Sequence, residues 1–473
     1  MIKVLFVTSE ATPFVSTGGL GEVSGSLPRA INKSGLAEVS VVLPMYMSVK
    51  QKYYAETKPV YEGEVDLSWR KQYIGVRKTE YRSVKYYFID NEYYFGREMI
   101  YGNYDDGERF AYFGKAVCSM IAAGVVSPDI VHANDWQSAL SVIYLKRQFP
   151  ELYNIRCVFT VHNIAYQGRY GIGIASDVFG LSQDDALPLT FDGDLNLIKG
   201  AITLSDAVNT VSRGYAQEIS DGFYAYGLED VIRSRPEGFH GIINGLDDSF
   251  DPANDATIPS RYSEADLKGK EKCREKLCLE FCIENRAESP IVAMVTRLVP
   301  QKGIDLVIRV AEEILRDFGV TLVVLGTGRT EYEAFFRSLS ETNKGRVGYV
   351  DRFDNSLSRL VYSGSDMFLM PSMFEPCGIS QLTAMKYGTP PIVRETGGLK
   401  DTVIPYNEFT DEGTGFSFAN YDAYEMKNTI GYAVSVFREK KRWEGIVKRA
   451  MKADFSWKRS AEEYVKIYKE IMR

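Results

Sequence analysis

The sequence predicts an α/β protein made of two doubly wound units, each built on a parallel sheet. Three observations lead there. Short apolar runs recur and alternate with helical patterns, as parallel strands and their covering helices do. The runs end again and again in glycine-rich or polar turns: STGGLGEV, HANDWQ and HNIAYQG in the first half, QKG, GTG, EPCG and ETGG in the second. The succession also starts twice, once at Ile2 and again at Ile291, after a polar stretch opened by Asp251-Pro252. In open α/β sheets ligands bind at the carboxyl ends of the strands, where these turns fall.

Composition narrows the class. At 473 residues the chain is too long for one ordinary domain. With 45% hydrophobic and 25% charged residues it reads as globular rather than disordered. A net charge of -7, from 56 basic and 63 acidic residues, argues against a general nucleic-acid binder. The 31 Tyr and 25 Phe could stack on sugars or nucleobases, although packing accounts for most of them. The six cysteines form no CxxC pair. Cys278 and Cys282 are spaced to share a helix face, for packing rather than ligation. A reduced, cytoplasmic protein is expected. The apolar run in MIKVLFVTSE is too short for a signal peptide, and no run is long enough to span a membrane.

In order, Ile2–Val7 is a strand, and Ser16 to Ile31 leads from a glycine-rich loop into a helix. Val39 to Leu43 is the next strand. Pro59 to Asp90 alternates apolar and polar residues and reads as inserted antiparallel strands. Arg109 to Val125 is helical; Asp129 to Val131 is a short strand carrying HANDWQ at its end; Cys157 to Val161 carries HNIAYQG. A helix near Leu195 to Leu204, a strand at Ala207 to Val211 and a helix from Ser212 follow, and Gly241 to Gly245 closes the domain. The stretch after Asp251 shows no periodicity. Strands then begin at Ile291, Thr321, Arg346, Met367 and Pro391, with helices between them, including Asp354 to Tyr362 and one from Ile379. Phe455 to Arg473 is a final amphipathic helix.

The second half carries the most specific chemistry. Arg297 and Lys302 flank a strand-to-helix turn and can converge on one diphosphate, the Arg as a fork and the Lys as a point charge. The alternative is two solvated surface cations. Glu375, Cys377 and Gly378 follow one strand, and Gly397-Gly398 ends the next, where bare N–H groups can meet an anion or sugar hydroxyls. A helix-start carboxylate is the plainer account of Glu375. His162 is one of three histidines and, alone, reads as a structural one. His132, His162 and His240 have no metal-ligand spacing.

The stretch from Pro371 to Asp401 resembles the donor-binding segment of bacterial glycogen synthases and plant starch synthases, and four further motifs match in the same order. The resemblance implies the GT-B fold, two Rossmann-like domains facing across a cleft that closes on the donor, with the last helix crossing back to the first domain. Residues 1–252 with 456–473 would form the acceptor side, and 253–455 the donor side. It implies retaining transfer of glucose from ADP-glucose to the non-reducing end of glycogen or another α-1,4-glucan, with no metal or other cofactor, no nucleic-acid partner and no membrane. Arg297 and Lys302 then hold the donor phosphates, and Glu375 bonds the glucose hydroxyls. Cys377 and Gly378 offer backbone to the donor. His162 lies near the reacting carbon, Asp135 on the acceptor side or at the developing charge, and Asn244 in a loop at the domain junction. In the family's first loop, KxGGLxDV, a lysine meets the donor phosphates. Here Ser16 replaces it, Glu22 replaces the aspartate, and Gly18 and Gly19 remain. The position eight residues after Glu375, where many related enzymes carry a second Glu, is Thr383, so a paired-carboxylate mechanism does not follow. Two other readings stay open: a relative that uses UDP-glucose, and a glucan-binding protein whose site is weakened by Ser16. No pyridoxal phosphate lysine is identifiable, which sets a glucan phosphorylase aside.

Overall fold

Strand Ile2–Val7 lies inside a nine-stranded sheet. In spatial order the strands are Phe239–Gly241, Ala207–Thr210, Arg156–Val161, Ile130–Asn134, Ile2–Val7, Ala37–Pro44, Val84–Asp90, Arg70–Tyr81 and Lys58–Leu67. The first seven run parallel; Arg70–Tyr81 is reversed and pairs antiparallel with both of its neighbours, so Lys58–Leu67 runs in the direction of the seven. Parallel strands must be covered on both faces, which is why their residues are almost all buried. Helix Gly19–Ser34 gives one cover, burying Val23, Leu27 and Ile31 at helical spacing. The computed structural model describes residues 1–235, 239–352 and 354–473.

The chain divides into two compact units, 1–245 with 457–473, and 246–456. The switch falls at Leu246, ahead of the boundary read from the sequence, because Leu246 donates its N–H to the Phe455 carbonyl (2.7 Å) and its side chain joins the second core. Helix Trp457–Ile471 belongs to the first unit. It buries Trp457, Tyr464, Val465 and Tyr468 there. The second unit is built on a six-stranded, wholly parallel sheet in the order Val347–Val350, Thr321–Leu325, Ile291–Val295, Met367–Met370, Pro391–Arg394 and Phe416–Phe418. Helix Ile304–Phe318 covers it with Val307, Val310, Ala311 and Ile314.

Several elements differ from expectation. Strand Ile130–Asn134 runs through the first part of HANDWQ, so His132 lies within the sheet. It can do so because both ring nitrogens are bonded, Nδ1 with the Tyr468 hydroxyl (2.8 Å) and Nε2 with Thr160 Oγ1 (2.7 Å). Val84–Asp90 is antiparallel only to Arg70–Tyr81 and pairs in parallel with Ala37–Pro44. The aperiodic stretch contains helix Lys268–Glu280, which buries only Gly269, Cys273, Leu277 and Cys278 among charged residues and so shows almost no amphipathic signal. That helix stops before Cys282, which is exposed, so the two cysteines do not share a face. Gly397-Gly398 opens helix Gly397–Thr402 rather than only ending a strand. A small sheet of Arg169–Gly171, Asp194–Asn196 and Thr190–Phe191 was not anticipated. No helix among the described residues is long and apolar enough to cross a membrane.

Candidate functional site

In the second unit the polar strand ends come together. Lys302 closes the short 3-10 turn Pro300–Lys302, after strand Ile291–Val295. Gly303 follows at φ 68, and a Cβ there would lie 2.0 Å from the Pro371 carbonyl oxygen, so only glycine lets this turn press against the next strand end. Two hydrogen bonds tie the loops: Met373 donates its N–H to the Gln301 carbonyl (2.8 Å), and Gln301 Nε2 donates to the Phe374 carbonyl (3.3 Å). Lys302 Nζ then reaches Glu375 Oε2 at 2.6 Å, and Ser372 Oγ donates to the same oxygen at 3.1 Å. The Lys302 and Glu375 side chains are only 17% and 9% exposed, so this pair feels little solvent screening.

The glycine pair completes the cradle. Gly398 donates its N–H to the Glu375 carbonyl (3.0 Å). At Gly397, φ is 43, and a Cβ would lie 2.1 Å from that same carbonyl oxygen. A side chain here would push the helix start away from Glu375. Cys377 is buried, and the Gly378 carbonyl accepts from Gln381 Nε2 (3.0 Å). Beneath the loop, buried Arg394 donates from Nε to the Ser372 carbonyl (3.0 Å) and lies over the Tyr421 ring. Arg297 is exposed, and its guanidinium makes no ion pair among the described residues. Its position is set by Leu298, whose N–H donates to the Thr327 carbonyl and whose carbonyl accepts from Arg329, both at 2.8 Å. Thr383 points back into its helix, bonded to the Ile379 carbonyl (3.1 Å), so no second polar group stands in for a paired carboxylate there.

The first unit gathers its own polar strand ends. Asp135 follows strand Ile130–Asn134 with φ 56. Its Oδ1 accepts the His162 N–H (2.7 Å) and the Asn163 N–H (3.4 Å), which locks two strand ends together. Burial pushes the Asp135 carboxyl up to about 7, against the pull of those two N–H groups. His162 is buried, and its Nε2 lies 3.0 Å from Asn134 Oδ1. Asn134 Nδ2 donates to the Val7 and His132 carbonyls, so its oxygen faces the imidazole. That network assigns the His162 proton to Nε2 and leaves Nδ1 as an acceptor.

Other residues fall at the same edge. Ser16, Gly18 and Gly19 are exposed at the start of helix Gly19–Ser34, with Ser16 Oγ donating to the Gly18 carbonyl (3.2 Å). Asn244 is buried, and its Oδ1 has no hydrogen-bond partner among the described residues. Sequence reasoning missed Glu10. This buried carboxylate accepts the Thr17 N–H, the Thr17 hydroxyl (2.8 Å) and the Tyr101 hydroxyl (2.6 Å), and so fixes the loop that carries Ser16. Only the polar Thr8-Ser9-Glu10 run after the first strand could have signalled it. Among the described residues, no group of three or more His, Cys, Asp or Glu is placed to hold a metal ion.

A family model described as the starch synthase catalytic domain matches residues 3–234, and one described as glycosyl transferases group 1 matches residues 281–444. The chain is 43% identical to a glycogen synthase of Clostridium botulinum (strain Alaska E43 / Type E3), over 99% of both chains. It is 42% identical to a glycogen synthase of Geobacillus stearothermophilus, over 100% of this chain and 98% of that one. The chain belongs to the glycogen synthase and starch synthase family. It is a glycosyltransferase, as the motifs led us to expect. Among solved structures, the catalytic domain of starch synthase IV from Arabidopsis thaliana, bound to ADP and acarbose, superposes with a TM-score of 0.91 at 30% identity over the whole of both chains. A sucrose-phosphate synthase from Thermosynechococcus elongatus, at 18% identity and a TM-score of 0.64, shares the fold. That fold is GT-B.

The two buried histidines are expected to cost this family member stability in acid. Burial lowers both His132 and His162 to about 3. Between that value and the ordinary 6.5 the unfolded chain binds protons that the folded chain refuses. Their contribution to stability is therefore complete above about 6.5 and is lost as pH falls towards 3. Asp135, shifted upward, works the opposite way between about 4 and 7. A comparison of variants separates the two effects. Wild type is expected to be more stable than His132→Gln at pH 7.5, with the gap narrowing at pH 5, as read from urea unfolding midpoints. A gap independent of pH would contradict the neutral, bonded imidazole.

Proposed function

We propose that this chain is a retaining glucosyltransferase that extends the non-reducing end of glycogen or a related α-1,4-glucan with glucose from ADP-glucose. The observation that carries this reading is the Lys302–Glu375 pair set against the glycine-opened helix at Gly397-Gly398. Departure of a nucleoside diphosphate needs cations and N–H donors where negative charge grows. Lys302 and the exposed Arg297 supply the cations, while the Gly398 N–H, already on the Glu375 carbonyl, keeps the glycine pair close against that loop. Oε1 of Glu375, which bonds to none of the described residues, accepts glucose hydroxyls while Oε2 stays on Lys302. Cys377 and Gly378 lend backbone to the same ligand. The names of the relatives and the ADP and acarbose bound to starch synthase IV support a nucleotide-sugar donor and a glucan acceptor.

In the first unit, Asp135 and His162 serve the reacting carbon. The bond from the anomeric carbon to the phosphate oxygen breaks, and a bond to the acceptor hydroxyl oxygen forms on the same face. The acceptor proton passes to the departing phosphate. Ionised Asp135 stabilises the positive charge that develops on the sugar, and neutral His162 offers a hydrogen-bonding ring without adding charge. No covalent glucosyl-enzyme is formed and no metal is needed; a trapped adduct would contradict the scheme. A reducing cytoplasm suits the six unbridged cysteines.

Ser16 favours a second reading, a donor other than ADP-glucose or a weakened site. Restoring the charge tests it. Ser16→Lys is expected to tighten ADP-glucose binding about tenfold, the worth of about 1.4 kcal/mol at a partly exposed position. Release of the nucleoside diphosphate is measured in parallel, ADP from ADP-glucose and UDP from UDP-glucose. Unchanged affinity in Ser16→Lys shows that the loop does not meet the diphosphate. Turnover from UDP-glucose alone overturns the donor assignment.

A further inference from the structure

The hairpin that joins strands Lys58–Leu67 and Arg70–Tyr81 carries an indole that neither the turn nor the core explains. Leu67 pairs with Arg70, so Ser68 and Trp69 alone make the turn, with Ser68 at φ 57. Two-residue turns favour Asn and Gly, not Trp. Trp69 is 72% exposed. It is nevertheless held on two sides. Its Nε1–H donates to Asp177 Oδ1 at 2.7 Å, and the Arg70 guanidinium lies 4.3 Å from the ring centroid. Arg70 is itself fixed, with Nη1 donating to the Asp177 carbonyl (2.6 Å) and Nε 3.3 Å from Glu108 Oε1. An exposed ring held in one orientation has already lost the freedom that binding would cost.

We propose that Trp69, Arg70 and Asp177 form a non-catalytic glucan-binding site, which retains the polymeric acceptor while another chain end reacts. The chemistry fits a sugar. The apolar C–H face of a glucose ring stacks on the indole face that Arg70 does not cover, and vicinal hydroxyls bond to the Asp177 carboxylate at the ring's edge. A protein partner fits less well, because the turn is flanked by exposed, charged Asp66 and Lys71 rather than by a contiguous apolar patch. The topology also suits a polymer. Pairing with strand Val84–Asp90 ends at Gly75, so the hairpin tip projects about 17 Å further, past the carboxyl edge of the parallel strands. Asp135 and His162 follow strands at that same edge of the unit. The choice of glucan as ligand rests on the function proposed above.

The two binding measurements that decide the proposal need neither donor nor turnover, so they can fail while that function stands; kinetics are a further check. Of the four tryptophans, Trp443 and Trp457 are buried and Trp136 half-buried, which leaves Trp69 to report on added sugar. Wild type is titrated with maltoheptaose while indole emission is followed, and is run in native gels with and without glycogen. A saturable emission change is expected, absent in Trp69→Ala. The dissociation constant for glycogen from gel retardation is expected to rise about tenfold in Trp69→Ala. Asp177→Ala, which frees the indole N–H, should fall between the two. Transfer to maltotriose should be unchanged in both variants, and KM for glycogen should rise without a change in kcat. Wild-type retardation in Trp69→Ala overturns the proposal. Should Trp69→Ala fail to fold, wild-type retardation of folded Asp177→Ala, together with no emission change in wild type, overturns it equally.

Discussion

Lys302→Met is expected to lower kcat/KM for glucosyl transfer by about 10²–10³-fold, the usual cost of removing one group that stabilises charge in the transition state. The structure explains why so much rests on one amine. Lys302 Nζ lies 2.6 Å from Glu375 Oε2, and both side chains are largely shielded from water. In the proposed mechanism the amine therefore has two tasks: it meets the departing phosphate and it neutralises the carboxylate that orients the sugar. Without it, Glu375 keeps only the Ser372 hydroxyl on Oε2 and a buried charge without its cation. Glu375→Gln is expected to fall by a similar factor. Because each substitution disables the same pair, the double variant should lose far less than the product of the two. Lys302→Arg should not restore activity, since a planar fork cannot replace a point charge in the tight turn before Gly303. Steady-state kinetics with ADP-glucose and glycogen check all four. Fully multiplicative losses would show that the two side chains act apart.

Asp135→Asn is expected to cost about 10²–10³-fold in kcat while leaving the fold in place. Asn tolerates the positive φ that Asp135 adopts, and its oxygen can still accept the His162 N–H. What it lacks is charge. Burial holds the Asp135 carboxyl up at about 7, so the ionised fraction grows as pH rises through that value. Wild-type kcat should therefore rise with pH around 7, and Asp135→Asn should lose that limb. Stability moves the other way. A raised carboxyl costs nothing below its ordinary value near 4, and its cost is complete above about 7, so the Asn variant should gain on wild type as pH increases. A pH profile unaltered by the substitution would remove Asp135 from the charge-stabilising role.

How far the sequence led is clear from particular residues. Strands such as Ile2–Val7, Thr321–Leu325 and Met367–Met370 were legible because a strand buried on both faces leaves an unbroken apolar run. The Lys302 turn and the glycines at 397 and 398 were legible because turn chemistry is local. The residues that steady them were not. Glu10, which accepts directly from Thr17, is itself steadied by Tyr101 from far along the chain, and Arg394 holds Ser372 from a different strand; Tyr101 and Arg394 reach these places only in the folded structure. His132 was placed past its strand because a polar residue reads as a strand end. Its burial depends on Tyr468, from the last helix of the chain. Helix Lys268–Glu280 was invisible because its buried face holds few apolar residues.

The most direct test of the account is incorporation of labelled glucose into glycogen by wild type and Lys302→Met, with ADP-glucose as the donor. We expect incorporation by wild type, released again by an enzyme that cleaves α-1,4 linkages from the non-reducing end, and a loss of about 10²–10³-fold in the variant. No incorporation by wild type, or equal incorporation by a folded Lys302→Met, would contradict the central claim that the Lys302–Glu375 pair drives glucosyl transfer from a nucleotide donor.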